Sequence, residues 1–400
     1  MPQWILGIAL GVLYVAALVV FRHHGMYTDE VDHFSQITLF LRGDFRILEN
    51  YLTTIPGYHA LVAAILWTCG ADSLNAARLV NAAFGLVAAA GFHALRRRLW
   101  PGTETVATAQ FLVVPFLVPL FFLVYTDILA LALILWATVF SLSGRHWLSV
   151  LLLSALVCVR QHEVIWAGFL AVVVAWPLWI ERGIGAWRAL ARTMLPYALP
   201  LAGFLGFWWW NGAISLSQEQ AALHPLSLHA GNVYLALILA GGLLPLHVLV
   251  GLRQFGMAVQ RRPWLLALPV LIFAGFWWGF HADNPYNTVD PWYYIRNGFL
   301  LAVQTHPAVR ALVGMLAAFT ACGLAFTRLK PAQANWLYPF AALFLAASWL
   351  IEQRYVLVPF VLWLAFREQR SRTIEYVTLA LWLVLAVCVL YGIIIGRFFL

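Results

Sequence analysis

Trp4 to Phe21 reads WILGIALGVLYVAALVVF, eighteen residues without a charge. As a helix rising about 1.5 Å per residue it covers about 27 Å, close to the hydrocarbon thickness of a bilayer. No basic segment leads it and no small-residue cleavage pattern follows, so it is expected to be a retained span rather than a signal peptide. Comparable runs recur near 73–95, 104–123, 127–143, 147–160, 164–180, 195–213, 232–252, 264–280, 309–327, 335–350, 355–366 and 374–396. That makes about thirteen apolar segments. With 63% hydrophobic and 10% charged residues and a mean hydropathy of +0.84, the composition excludes a soluble globule. Continuous runs, in place of short alternating ones, exclude a membrane β-barrel. The expected fold class is all-α: a polytopic transmembrane helical bundle of about thirteen spans, one domain over residues 1–400. The shorter run Gly57 to Gly70 is expected to be a re-entrant or interfacial helix closing the first loop.

The charges organise themselves by topology. With the N-terminus in the cytoplasm, fifteen of the 24 Lys and Arg residues fall in cytoplasmic loops, beside only Glu104, Glu181, Glu368 and Glu375. This positive-inside bias accounts for the net charge of +8 without a nucleic-acid partner. The remaining acids and the longer polar loops, 22–56, 215–231 and 281–307, lie on the other face, which is where function is expected. Cys69, Cys158, Cys322 and Cys388 all sit in apolar runs and read as packing residues. Lys330 is the single lysine, a bias that suggests a GC-rich, bacterial genome.

Beyond the first span comes MYTDEVDHFSQITLFLRGDF, Met26 to Phe45. Read as a helix starting at Asp29 with Thr28 as N-cap, it gathers Asp29, Asp32, His33 and Gln36 within about 60° of one direction. Val31, Phe34, Thr38 and Leu41 point the other way, so the acids are held at the membrane surface by an apolar face. A carboxylate at a helix N-terminus stays ionised, which suits a general base. FFLVYTDI places Asp127 at the outer boundary of two apolar runs, as a helix cap or a site residue. CVRQHEVIW puts Arg160, Gln161, His162 and Glu163 at a hairpin tip, where Arg160 could meet a phosphate.

SQEQAALHPLSLHAGNVY holds Glu219, His224 and His229, a spacing that matches no metal site and reads as substrate-lining loop. HADNPYNTVDPWYYIRNG supplies Asp283, Asn284, Asn287, Asp290, Tyr293, Arg296 and Asn297 among aromatic rings. Such alternation serves sugar recognition, or else an interfacial aromatic belt. In WLIEQRYVLVPFV, Arg354 between apolar runs is either a partner of Glu352 or a phosphate contact, and the phosphate role is preferred. There is no Gly-rich phosphate loop with Lys, no nucleophile elbow and no HExxH.

TDEVDHFSQ, TTIPGYHA, RLVN, LFFLVYTDI, RQHEVIW, the 281–298 loop and EQRYVLVPF follow one another in an order that resembles the dolichyl-phosphate-glucose alpha-1,2-glucosyltransferases, from about Met26 to about Val361. The resemblance implies a GT-C membrane fold and an inverting transfer of glucose from a polyprenyl (dolichyl) phosphate to a glycan or lipid-linked oligosaccharide, with no cofactor and no metal. It puts the family's acid pair on Asp29 and Glu30, its third-span acid on Asp127 and its arginines on Arg160 and Arg354. Asp29 is then the preferred base, with Asp32, His33 and the 281–307 loop orienting sugars. This chain departs in its short cytoplasmic loops and in the His162 and Glu163 that follow the RQ pair. The expected place is a bacterial inner membrane with a periplasmic site, or the endoplasmic reticulum if the source is eukaryotic. A competing class is a transporter or flippase of a lipid-linked sugar, although no internal repeat is evident.

Overall fold

The computed structural model describes residues 3–48, 52–217, 221, 225 and 227–399. Their regular structure is helical, and outside the helices there are two isolated bridges, Tyr294 with Phe399 and Leu329 with Arg367. The chain forms an all-helical integral membrane protein. It divides into two compact units: Met1–Leu112, Leu117–His224 and Gln333–Phe340 in one, Val113–Phe116, Pro225–Ala332 and Ala341–Leu400 in the other.

The first unit holds α1 (Gln3–Phe21), α2 (Glu30–Leu41), α3 (Gly57–Thr68), α4 (Leu74–Leu99), α5 (Glu104–Leu112), α6 (Thr126–Leu142), α7 (His146–Val159), α8 (Ile165–Arg182), α9 (Trp187–Met194) and α10 (Ala198–Asn211). Ser73 starts α4 by accepting from the Ala76 amide, and Arg96, Arg97 and Arg98 in its last turn complement the helix dipole. The core of this unit is α6, whose Ile128, Leu131, Ile134 and Leu135 are fully buried. The Trp136 indole donates to the Val87 carbonyl of α4 at 3.0 Å. Gly57 lets α3 lie against α7: a Cβ there would stand 2.5 Å from the Cys158 carbonyl oxygen.

The second unit is built on helices Gly231–Leu243, Pro245–Arg261, Ala267–Gly279, Ile295–Thr305, Pro307–Leu324, Gln353–Phe366 and Arg372–Ile394. At Gly251, the helix Pro245–Arg261 meets the backbone of Gly323 so closely that a side chain has no room. One buried cluster ties its elements together. Arg367 donates to both oxygens of Glu375 at 2.9 and 2.7 Å and to His247 Nε2 at 3.1 Å.

Helix length corrects the expected spans. Four described helices are long and apolar enough to cross a membrane: Leu74–Leu99, Gln161–Glu181, Pro307–Leu324 and Arg372–Ile394. The run expected as one span over 232–252 is bent by 103° between Leu243 and Pro245, because the Pro245 ring has no amide hydrogen to continue the ladder. The span expected over 104–123 stops at Leu112, shortly before Pro115 and Pro119, which interrupt a helix for the same reason. Most of the other expected segments are present as shorter apolar helices, among them Thr126–Leu142, His146–Val159, Pro263–Gly279 and Gln353–Phe366.

Candidate active site

The first unit arranges the acidic loop around Arg78. α2 begins one residue later than expected, with Asp29 as its N-cap, and the Asp29 carbonyl accepts from the Asp32 and His33 amides at 3.1 and 3.0 Å. The Asp29 side chain is half-buried and does not cap its own helix. Thr28, expected as the N-cap, instead adopts φ +44°, a left-handed backbone that a β-branched residue resists. Its hydroxyl is hydrogen-bonded to the Tyr125 hydroxyl. In α2, Glu30, Gln36 and Ile37 are buried, while Val31 is 46% exposed.

Glu30 is fully buried and surrounded by donors. Arg78 reaches its two oxygens at 2.9 and 2.6 Å, the Val124 amide donates at 2.9 Å and the Tyr27 amide at 3.1 Å. The same guanidinium donates to the carbonyls of Phe21, His24 and Gly25. Asn81, one turn on, accepts from the Tyr58 hydroxyl at 3.2 Å and donates to the Leu120 carbonyl at 2.8 Å. Arg78 thus fixes the chain on both sides of Asp29, and Asn81 ties Tyr58 to the Leu120 backbone.

His33 and His59 meet through ring nitrogens 2.9 Å apart, Nδ1 to Nε2. His59 is fully buried, and burial, helped by the neighbouring His33, holds its pKa well below the usual imidazole value. It is therefore neutral at pH 7. Asp32 is shifted the other way: burial, and then the charge of Asp29, raise its carboxyl.

Asp127 and Arg160 form an ion pair within the same unit, with Glu163 3.5 Å from Arg160 Nε. All three are buried. Gln161 donates to the carbonyls of Thr53 at 2.7 Å and Ile214 at 2.8 Å, and accepts from the Ile55 amide at 3.2 Å. It secures the TTIPGYHA segment.

In the second unit, Asn232 and Asn287 hold the backbone of residues 348–352. Asn232 donates to the Ser348 and Leu350 carbonyls and accepts from the Glu352 amide at 2.8 Å. Asn287 brackets Ile351, donating to its carbonyl at 2.8 Å and accepting from its amide at 3.0 Å. The segment presents Glu352 between two arginines, with Arg296 Nη1 at 2.8 Å and Arg354 Nε at 3.2 Å. Burial alone would raise the Glu352 carboxyl, but the charges and hydrogen bonds of Arg296 and Arg354 outweigh it and hold it at about 2. Arg354 is thus a partner of Glu352, the other role open to it from sequence, in a cluster of two guanidiniums and one carboxylate.

Asn284 is buried and caps the turn at Tyr286. Asp283 accepts from the Trp349 indole at 2.8 Å. Tyr293 lies edge-on to Tyr294, its hydroxyl pKa raised by burial and then by Asp290. His224 and Glu219 lie outside the described residues.

A family profile matches residues 23–182 and 179–365, a stretch that runs from before Asp29 to beyond Arg354. The chain belongs to the DIE2/ALG10 family. It is similar to the Dol-P-Glc:Glc(2)Man(9)GlcNAc(2)-PP-Dol alpha-1,2-glucosyltransferase of Drosophila melanogaster, at 26% identity over 91% of this chain and 88% of that protein. The protein of the same name from Mus musculus is 23% identical over 84% of this chain and 83% of its own length. No solved structure matches the chain.

Five residues of this DIE2/ALG10 member carry its site geometry without having been assigned a role from sequence: His59, Arg78, Asn81, Asn232 and Trp349. Signals for them existed. Arg78 and Asn232 are polar groups in or beside apolar runs, where a membrane protein keeps them only for a partner or a function. His59 and Asn81 lie in motifs that were legible as motifs, and only the fold reveals what each one touches.

Proposed function

We propose that this DIE2/ALG10 protein is an inverting glucosyltransferase that takes glucose from a polyprenyl-phosphate donor and adds it, in alpha-1,2 linkage, to a glycan or lipid-linked oligosaccharide. The observation that carries the reading is the Arg296–Glu352–Arg354 cluster. Two guanidiniums aligned by one carboxylate are a net positive group suited to a lipid phosphate, while the family supplies the sugar.

Asp29 is the base in this reading. Its carboxylate accepts the proton of an acceptor hydroxyl as that oxygen attacks the anomeric carbon; the bond from that carbon to the phosphate oxygen breaks, and the lipid phosphate departs with the electron pair. Within the second unit, Arg296 and Arg354 are assigned to the charge of a lipid phosphate. Phosphate is a good enough leaving group that no general acid is required. Glu30 is assigned with Arg78 to the scaffold and not to chemistry, since each neighbour of its carboxylate is a donor already engaged. Gln161 is assigned to holding the Thr53–Ile55 segment.

The finer topology belongs to the same proposal. The number of apolar runs in the sequence sets it at about thirteen spans, with the 22–72 loop and the 281–307 segment outside the cytoplasm. A single lysine favours a bacterial inner membrane and a periplasmic site.

The test is glucose transfer by the purified protein from a short-chain polyprenyl-phosphate-glucose to a panel of glycan and glycolipid acceptors. Asp29→Asn should abolish turnover with donor binding intact. Retention of more than about a tenth of wild-type turnover removes Asp29 as the base.

A further inference from the structure

The segment that presents Glu352 to the arginines begins with a feature the phosphate chemistry does not use. Trp349 stands three residues before Glu352 and is half-buried. Its ring is stacked on His229, centroids 6.1 Å apart at 25°. Its indole nitrogen donates to Asp283 Oδ1 at 2.8 Å. His229 is itself fixed, its amide donating to the Ala346 carbonyl at 2.7 Å and its Nε2 lying 2.7 Å from the Ser227 hydroxyl. Asp283 is exposed.

An indole locked by a stacked imidazole and by a carboxylate at its edge loses its rotamer freedom before any ligand arrives, so little ordering remains to oppose binding. An aromatic face offers the C–H side of a pyranose a surface. The exposed Asp283 carboxylate has acceptor capacity beyond the indole bond and can take hydroxyl donors from the same ring. A phosphate would be repelled by that carboxylate. The lipid phosphate therefore has its place at the arginines and a neutral sugar its place at Trp349.

We infer that Trp349, Asp283 and His229 form a subsite for a neutral pyranose, carried by the same Asn232- and Asn287-anchored segment that carries Glu352. The sugar is either a terminal residue of the acceptor glycan or the glucose of the donor. The inference rests on the glucosyltransferase reading for its role, but the sugar contact is measurable without turnover.

The first measurement is saturation-transfer NMR on the full-length protein in detergent, with methyl α-glucoside and an α-linked glucose disaccharide as probes. Wild type should show transfer concentrated on the C–H protons of one sugar face. Trp349→Leu should abolish it, Trp349→Phe should keep most of it by retaining a ring, and Asp283→Ala should weaken it. If Trp349→Leu leaves transfer unchanged, the subsite is refuted whether or not the protein is an enzyme.

Steady-state kinetics then separate the two sugars. For an acceptor subsite, Trp349→Leu should raise acceptor KM tenfold or more with donor KM and kcat within threefold; for a donor subsite the two KM values exchange roles. Unchanged values for both overturn the role in transfer. Trp349→Phe and the exposed Asp283→Ala keep the test decisive if Trp349→Leu fails to fold. A protein that shows the sugar contact but no transfer from any donor sinks the enzyme reading and leaves the subsite standing.

Discussion

Arg78 is the residue whose removal should do most to the first unit. Arg78→Met replaces the guanidinium by an apolar chain of similar length and withdraws every hydrogen bond it gives: two to Glu30 and those to the carbonyls of Phe21, His24 and Gly25. Glu30, fully buried, keeps only the amides of Tyr27 and Val124. Breaking a buried pair by deleting one partner costs about 3 to 5 kcal/mol, mostly the desolvation of the charge left behind. For a cooperative unit of about 200 residues that corresponds to a melting temperature lower by roughly 6 to 20 °C. Glu30→Gln should destabilise for a related reason: every neighbour of the carboxylate is a donor, so the new amide nitrogen must face another N–H. The double variant Arg78→Met with Glu30→Met should recover part of the loss, because no charge is stranded.

The assay is thermal unfolding in detergent, with transfer activity measured well below the transition. If Glu30 is scaffold, Glu30→Gln melts early yet turns over at low temperature. A Glu30→Gln protein with wild-type melting and no turnover would instead make Glu30 a chemical group, and an unchanged melting temperature for Arg78→Met would refute the clamp itself.

Three further outcomes follow from other parts of the structure. Arg354→Ala should raise donor KM with acceptor KM little changed, and Arg296→Ala should do the same more weakly; unchanged donor dependence in both removes the phosphate assignment. Glu352 has a folded pKa of about 2 against an ordinary 4.5. The stability it contributes, about 3 kcal/mol, is therefore complete above about pH 4.5 and lost as the pH falls through about 2. A melting curve series across that window, compared with Glu352→Gln, should show an acid-dependent loss that the variant lacks. Gly57→Ala puts a methyl carbon 2.5 Å from the Cys158 carbonyl oxygen, so α3 must move off α7 at about 1–3 kcal/mol, and a melting temperature equal to wild type would contradict that approach.

The helices were legible because bilayer length and apolar runs are properties of contiguous sequence. The boundaries of α4, α6 and α7 lie within a few residues of the expected 73–95, 127–143 and 147–160. The breaks were less so. Pro115, Pro119 and Pro245 were visible, yet an apolar run reads the same whether it continues or bends, since hydropathy does not register a missing amide hydrogen. At the site, sequence picked out the charged residues but not their pairings. Glu30 stands next to Asp29 and is chemically its equal, and only the position of Arg78, 48 residues away, marks Glu30 as the clamped carboxylate. His59 could not be matched to His33 for the same reason. The helix periodicity used for α2 assumed a start at Asp29, and the positive φ of Thr28 moved that start by one residue.

Each arginine cluster has its own charge balance, and that balance sorts the roles. Arg78 with Glu30 is one to one, with the guanidinium's further donors engaging three backbone carbonyls, which is how a clamp is built. Arg160 stands between Asp127 and Glu163, one guanidinium to two carboxyls, a group with no preference for an anion. Arg296 and Arg354 share Glu352, two to one, and these three side chains sum to a positive charge. A buried charge in a membrane protein is kept only if something compensates it. In the first cluster the compensation is internal, and in the second the carboxyls outnumber the guanidinium. In the third the three side chains sum to a positive charge, and the proposed reaction sets the donor phosphate against it. The phosphate role proposed for Arg354 thus rests on its sharing Glu352 with Arg296.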